Sequence, residues 1–186
     1  MNLDGSNPVR LTSGLADTFP TLSLDSRWVI YTTLQGAKPT LWKISIDGGT
    51  PVQVSDHVAT LSSISPDGKS IAFTYPESQD PFAPANRVGV ISFEGGSDVK
   101  VVEIVASGTA LAVLHWSNDG KSILYTVTSN NLTNIWSQPL DGGKPKQVTD
   151  FREMLMTGFS WSRDGKQLAC TRGTLVRDAI LVTDVK

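Results

Sequence analysis

The sequence predicts an all-β chain of repeated four-stranded antiparallel units, the architecture of a β-propeller. Three observations predict it. One turn-and-strand segment is written four times, as SLDSRWVIYTT at 23–33, SPDGKSIAFTY at 65–75, SNDGKSILYTV at 117–127 and SRDGKQLACTR at 162–172. A second signature interleaves with it: LDGSNPVRLT from Leu3, IDGGTPVQVS from Ile46, FEGGSDVKVV from Phe93 and LDGGKPKQVT from Leu140, spaced by 43, 47 and 47 residues. No window carries apolar residues at i, i+3, i+4 and i+7 over helical length. Two signatures in step along the whole chain define a repeat of about 45 residues, the period of a propeller blade.

Each repeat holds four short β-type runs between turn residues. In the second they are PVQVS (51–55), TLSSIS (60–65), SIAFTY (70–75) and VGVISF (88–93). The repeats fall at about 3–45, 46–92, 93–139 and 140–186, within one domain over 1–186. In the Asp-Gly-Lys turns the carboxylate can accept backbone N–H bonds, and glycine takes positive φ without steric cost. Ser26 stands where the other repeats have Gly68, Gly120 and Gly165, so the first turn is the least ideal. The strand after the turn is apolar on both faces, as in Ile71-Ala72-Phe73 and Ile123-Leu124-Tyr125. A sheet with one wet face would alternate, so these strands read as packed between neighbouring sheets. Phe73, Tyr125 and Trp161 are expected in the core.

Composition excludes several classes. Hydrophobic residues are 39% and charged residues 18%, too apolar for a disordered chain. A net charge of −2 with scattered basic residues gives no field to gather nucleic acid. No apolar stretch is long enough to insert in a membrane as a helix. MNLDGSNPVR has neither the basic nor the apolar region of a signal peptide, which leaves the compartment open. The single Cys170 excludes an internal disulfide and reads as a small buried hydrophobe.

ISPDGKSIAF, HWSNDGKSILY and SWSRDGKQLAC, with LWKISIDGG and IWSQPLDGG, resemble the TolB-like β-propeller repeat, a relative of the WD-repeat. Its mark is W-S-P-D-G-K and an apolar strand, then a strand with a Trp and a Gly-Gly turn. The resemblance covers essentially the whole chain. It implies a bacterial propeller of the kind found as periplasmic scaffolds, as sensor-like domains after kinases, or beside the hydrolase domain of oligopeptidases. The ending LACTRGTLVRDAILVTDVK is most similar to the close of a kinase-linked or regulator-linked propeller. Rings of this family are larger, so four blades imply half or a fragment of a propeller. Three completions are open: a four-bladed ring, a homodimer closing a ring of eight blades, or an arc of a longer parent. The run at 9–12 reads as a spare outermost strand able to pair with the third strand of the last repeat, 179–184.

No chemistry is legible. The sequence contains no G-x-S-x-G elbow, P-loop or G-x-G-x-x-G. His57 and His115 have no His or Cys at metal-ligand spacing, and the repeated aspartates Asp67, Asp119 and Asp164 form turns rather than a calcium loop. Trp42, Trp116, Trp136 and Trp161 stand at repeated strand positions, which favours core packing over base or sugar stacking. No catalytic residue, cofactor or metal is therefore assigned. In a four-stranded blade the Asp-Gly turns fall on one side of the disc. The connections that differ between repeats fall on the other: 55–60, 75–87, 128–134, 149–157 and 172–178. Variable loops over a rigid scaffold are the usual place for recognition. The candidate contact residues there are His57, Phe82, Arg87, Phe151, Arg152, Met154, Arg172 and Arg177. The sequence thus points to a non-catalytic scaffold that binds protein or peptide. The alternative is the propeller of an oligopeptidase or polysaccharide lyase with its catalytic groups outside this chain or in the channel. Only His115 is offered there.

Overall fold

The computed structural model describes residues 4–14, 16–34, 38–76, 86–105, 113–162 and 166–174. The first sheet runs β1 (Asp17–Leu22), β2 (Trp28–Thr33), β3 (Thr40–Ser45), β4 (Val52–Ser55). The second runs β5 (Ser62–Ile64), β6 (Ser70–Thr74), β7 (Arg87–Ser92), β8 (Lys100–Glu103). The third runs β9 (Leu114–Trp116), β10 (Ser122–Ser129), β11 (Leu132–Pro139), β12 (Lys146–Gln147), and the fourth pairs β13 (Leu155–Trp161) with β14 (Leu168–Gly173). Every strand pairs antiparallel with its sequence neighbour, so each sheet is a meander. No helix occurs among the described residues. This is the blade architecture of a β-propeller.

The sheets are cut differently from the sequence repeat. The run at 51–55 opens the second repeat, yet β4 completes the first sheet, and the same offset recurs at β8 and β12. An outermost strand must hydrogen-bond to the third strand of its own blade, and in chain order that strand precedes it. Residues 9–12 are in no strand, and Val9 is 70% exposed. The first sheet already has β4 at its outer edge, so 9–12 have no place there. The partner expected for them, 179–184, lies outside the described residues, as do Asp164 and its turn.

In the three copies that the structure describes in full, the Ser-x-Asp signature is a turn clamp. Asp25, Asp67 and Asp119 each accept the hydroxyl of the serine two residues before, at 2.6 Å. The same carboxylate oxygen accepts the N–H of Arg27 at 3.1 Å, and of Lys69 and Lys121 at 3.0 Å. The serine oxygens in turn accept the N–H that starts the next strand, Trp28, Ser70 and Ser122, at 2.9 Å. The Ser hydroxyl first, then the backbone N–H, holds all three carboxyls below their ordinary pKa. Gly68 and Gly120 sit at φ 73° and 68°, and Ser26 adopts the same left-handed conformation at 56°. A side chain there is strained, as the sequence anticipates.

Three apolar seams join the four sheets in sequence, so both faces of the second and third are covered by neighbours, whereas the strands of the fourth alternate between half-buried or buried and exposed residues. Ile30, Leu41 and Val54 meet Ile71, Phe73 and Ile91 between the first and second. Ala72, Val88 and Ile104 meet Trp116, Ile123 and Tyr125 between the second and third. Leu124 and Ile135 meet Met156 and Phe159 between the third and fourth. Phe73 and Tyr125 are fully buried, as expected, whereas Trp161 is only half-buried. Cys170 is also half-buried, packed at the edge of the third seam.

Polar stitches cross the seams. Thr32 Oγ1 donates to Thr60 O at 2.6 Å, and Trp116 Nε1 donates to Ser63 O at 2.9 Å. The buried Lys43 Nζ donates to Phe93 O at 2.9 Å and lies 3.1 Å from Glu94, between the rings of Trp28 and Phe93. The Gly-Gly turn beside it leans on the first sheet: a Cβ on Gly95 would come within 2.9 Å of Val54 O. That close approach, with φ at 90°, explains the glycine.

Candidate functional site

The side of the disc opposite the Asp-Gly turns carries two clusters in which an arginine lies over an aromatic ring. His57 sits between β4 and β5, Tyr75 just follows β6, and Arg87 opens β7. The His57 and Tyr75 ring centroids are 5.3 Å apart, with Nδ1 3.5 Å from the phenol oxygen. The Arg87 guanidinium lies 5.5 Å from the Tyr75 ring centre and donates to Pro76 O at 3.3 Å. Antiparallel pairing sets this up, because Tyr75 N donates to Arg87 O at 2.9 Å. The structure therefore brings His57 and Arg87 together through Tyr75, a residue sequence reasoning did not select. A signal existed: Tyr75 stands where the other repeats place Thr33, Val127 and Arg172.

The second cluster is built on the connection between β12 and β13. Asn134, buried on β11, accepts Phe151 N at 2.8 Å and Thr149 Oγ1 at 2.9 Å, and donates to Phe151 O at 3.3 Å. One strand side chain thus fixes the loop backbone on both sides of Phe151. The guanidinium of Arg172 stacks on the Phe151 ring at 3.8 Å and donates to Glu153 O. Met154 holds φ at 70° and is exposed. Arg152 points outward and pairs with Asp150 at 2.6 Å, with both side chains mostly in solvent, where such a pair adds little. Phe82 and Arg177 lie outside the described residues.

One expected loop is not a loop. Residues 128–134 continue the β10–β11 ladder from Thr128↔Thr133 to Ser129↔Leu132. The chain reverses in two residues, Asn130 and Asn131, at φ 51° and 60°. Asparagine tolerates that conformation, and paired positive φ values suit the twist of a hairpin.

Two cavities lie on the other side, among the repeated turns. One of 470 Å³ runs between Asp67 and Asp119 over Trp116 and Val90. The other, of 400 Å³, is lined by the inner strands through Ser63, His115, Ser160 and Trp161. They share Pro66, Trp116 and Asn118. His115 Nε2 lies 3.0 Å from Phe159 O with its ring edge-on to Phe159, and burial lowers its pKa against the raising effect of that backbone contact. Searching for variation between repeats pointed away from these cavities, because invariant turns line them. No group of three or more His, Cys, Asp or Glu able to hold a metal is found among the described residues. No helix there is long and apolar enough to cross a membrane.

Solved structures with this architecture are known. TolB from Agrobacterium tumefaciens superposes with a TM-score of 0.70 at 17% identity, over 88% of this chain and 57% of that one. TolB from Acinetobacter baumannii gives 0.60 at 19%, over 81% and 36%. A chain from a study of two prolyl endopeptidases gives 0.57 at 14%, over 80% and 24%. No family model and no curated protein matches. At these identities the likeness is one of fold: the chain is a β-propeller on the plan of the TolB propellers. It spans little more than half, or less, of each of these solved chains.

Proposed function

We propose that this chain is a non-catalytic β-propeller scaffold that recognises protein or peptide through the loop side of its blades. The observation that carries the reading is the pair of arginine–aromatic clusters, Arg87 on Tyr75 and Arg172 on Phe151, on the side where the repeats differ. Aromatic and arginine side chains held half-buried at strand ends and on an anchored connection have the composition of binding hot spots. Among the described residues that line the inner cavity, His115 is the one titratable group, and it is engaged with a backbone carbonyl, which supports the non-catalytic reading. The likeness to a prolyl endopeptidase chain keeps the second reading, a propeller serving an enzyme whose catalytic groups lie elsewhere. Completion of an eight-bladed ring by a homodimer is the oligomeric form of the first reading.

Selection of peptides from a random library on the folded protein tests it. Selected peptides should lose most of their affinity for Phe151→Ala and Tyr75→Ala, and keep it for Asn118→Ala among the turns. Binding lost only through Asn118→Ala would move the site to the cavities and overturn the reading.

A further inference from the structure

Arg87 and Arg172 share an unusual state. Both are half-buried, and both lie against an aromatic ring, at 5.5 Å and 3.8 Å. Each donates to one backbone carbonyl, Pro76 O and Glu153 O, and each has a buried Nε without a hydrogen-bond partner. Neither forms an ion pair among the described residues, where the carboxylates that pair at all are taken by Lys43, His57 and Arg152. Glu103 stands opposite Arg87 in the β7–β8 ladder without forming an ion pair with it, and a guanidinium removed in part from water gains from a bound counter-charge. Its planar fork, already held in place by a ring and a carbonyl, matches a carboxylate and loses little further freedom on binding one.

We infer that Arg87 and Arg172 are preformed carboxylate receptors, and that the partner of the loop side is an acidic peptide segment. This rests on the peptide-recognition reading and adds the chemistry of its ligand. The rings supply a flat apolar flank for the stem of a Glu or Asp side chain, and the Nη donors that the backbone carbonyl does not take receive its carboxylate. Arg152 has no such role: it is exposed and already paired with Asp150.

The test is calorimetric titration at low salt with the acetylated, amidated peptide Glu-Asp-Leu-Glu-Asp and its amide counterpart Gln-Asn-Leu-Gln-Asn. The acidic peptide should bind saturably, at least about tenfold more tightly than the amide form, and more weakly as salt is added. Arg87→Gln and Arg172→Gln should each weaken it by about tenfold, and Arg152→Gln should leave it unchanged. Should either variant melt early, Arg87→Lys and Arg172→Lys keep the charge, lose the fork, and should still weaken binding. Equal affinity for the two peptides, no binding of the acidic one, or insensitivity to both arginines overturns the inference. A neutral library peptide that still depends on Phe151 would then leave the wider reading standing, and its absence would remove both.

Discussion

The indole N–H of Trp116 donates to the backbone carbonyl of Ser63 at 2.9 Å, across the seam between the second and third sheets. Trp161 holds the same register place one blade on, opposite Leu168 as Trp116 is opposite Ile123. Its Nε1 is buried without a partner, and its ring is half-buried. Trp116→Ala should therefore cost about 3–5 kcal/mol, as a large ring leaves a closed seam. Trp116→Phe keeps most of the packing and should cost about 1 kcal/mol, because it removes the indole hydrogen bond while Ser63 stays paired with Ala72 in the ladder. Trp161→Ala should cost clearly less than Trp116→Ala. Urea titrations of the three variants check this ranking, and equal losses at the two tryptophans would contradict it.

Gly89 replaces the tryptophan that the first and third sheets place opposite the same tyrosine, Trp42 opposite Tyr31 and Trp136 opposite Tyr125. In the second sheet the opposite residue is Phe73, and its ring tip would lie 2.6 Å from a Cβ on Gly89. The ring has taken the space of the missing side chain. Gly89→Ala should destabilise by about 1–3 kcal/mol through overpacking, although alanine normally favours a strand over glycine. The double variant Gly89→Ala, Phe73→Leu should recover part of the loss. A neutral single variant would show that the ring can move aside.

Repetition made the blades legible. Position-by-position agreement of 65–75 with 117–127 fixed the turn and the strand after it, and unbroken apolar strands announced neighbours on both faces. What stayed illegible depended on distance in the chain. Read as a spare outermost strand, 9–12 already implies that 52–55 pairs back to β3, but repeat bounds drawn at Ile46 assign that run to the next unit. Nothing local marks Asn134 as the anchor of a loop 17 residues on. The four-residue run at 9–12 has strand composition, but a strand needs a partner edge, which composition does not supply. Of the candidate contacts, His57, Arg87 and Arg172 lie at or near strand ends and Phe151 on a connection that Asn134 holds, and the four assemble into clusters. Arg152 and Met154 came from the same loop logic and project outward instead.

The serine of each clamp should carry measurable stability. Ser65→Ala removes the acceptor for Ser70 N and the donor to Asp67, so it should cost on the order of 1 kcal/mol. Ser117→Ala should cost about the same, and the two should add, since they lie in different blades and share no partner. Asp25, Asp67 and Asp119 have folded pKa values below 3.8, so their stabilising effect is present above that pH. It should fade as pH falls below 3.8 toward the folded values. In the serine variants that acid limb should be shallower. An unchanged limb would show that the hydroxyl does not set the carboxyl.

His115 gives a separable pH signal. Burial holds its folded pKa below the value of 6.5 taken for the unfolded chain, so the folded state favours the neutral ring. Above 6.5 the ring is neutral in both states and adds no pH dependence. As pH falls below 6.5 the unfolded chain gains a proton that the folded chain does not. Stability should then decline with falling pH, and the decline should level off once the folded pKa is passed. The ring sits between β9 and Phe159 of β13, so the loss should be felt at the seam of the third and fourth sheets. His115→Gln removes the titrating group and keeps a side chain able to reach the Phe159 carbonyl. Melting temperatures of the two proteins should diverge in slope below pH 6.5 and run parallel above it. If the variant keeps the full slope below pH 6.5, the decline belongs to other groups, and His115 is not what couples the fourth blade to pH.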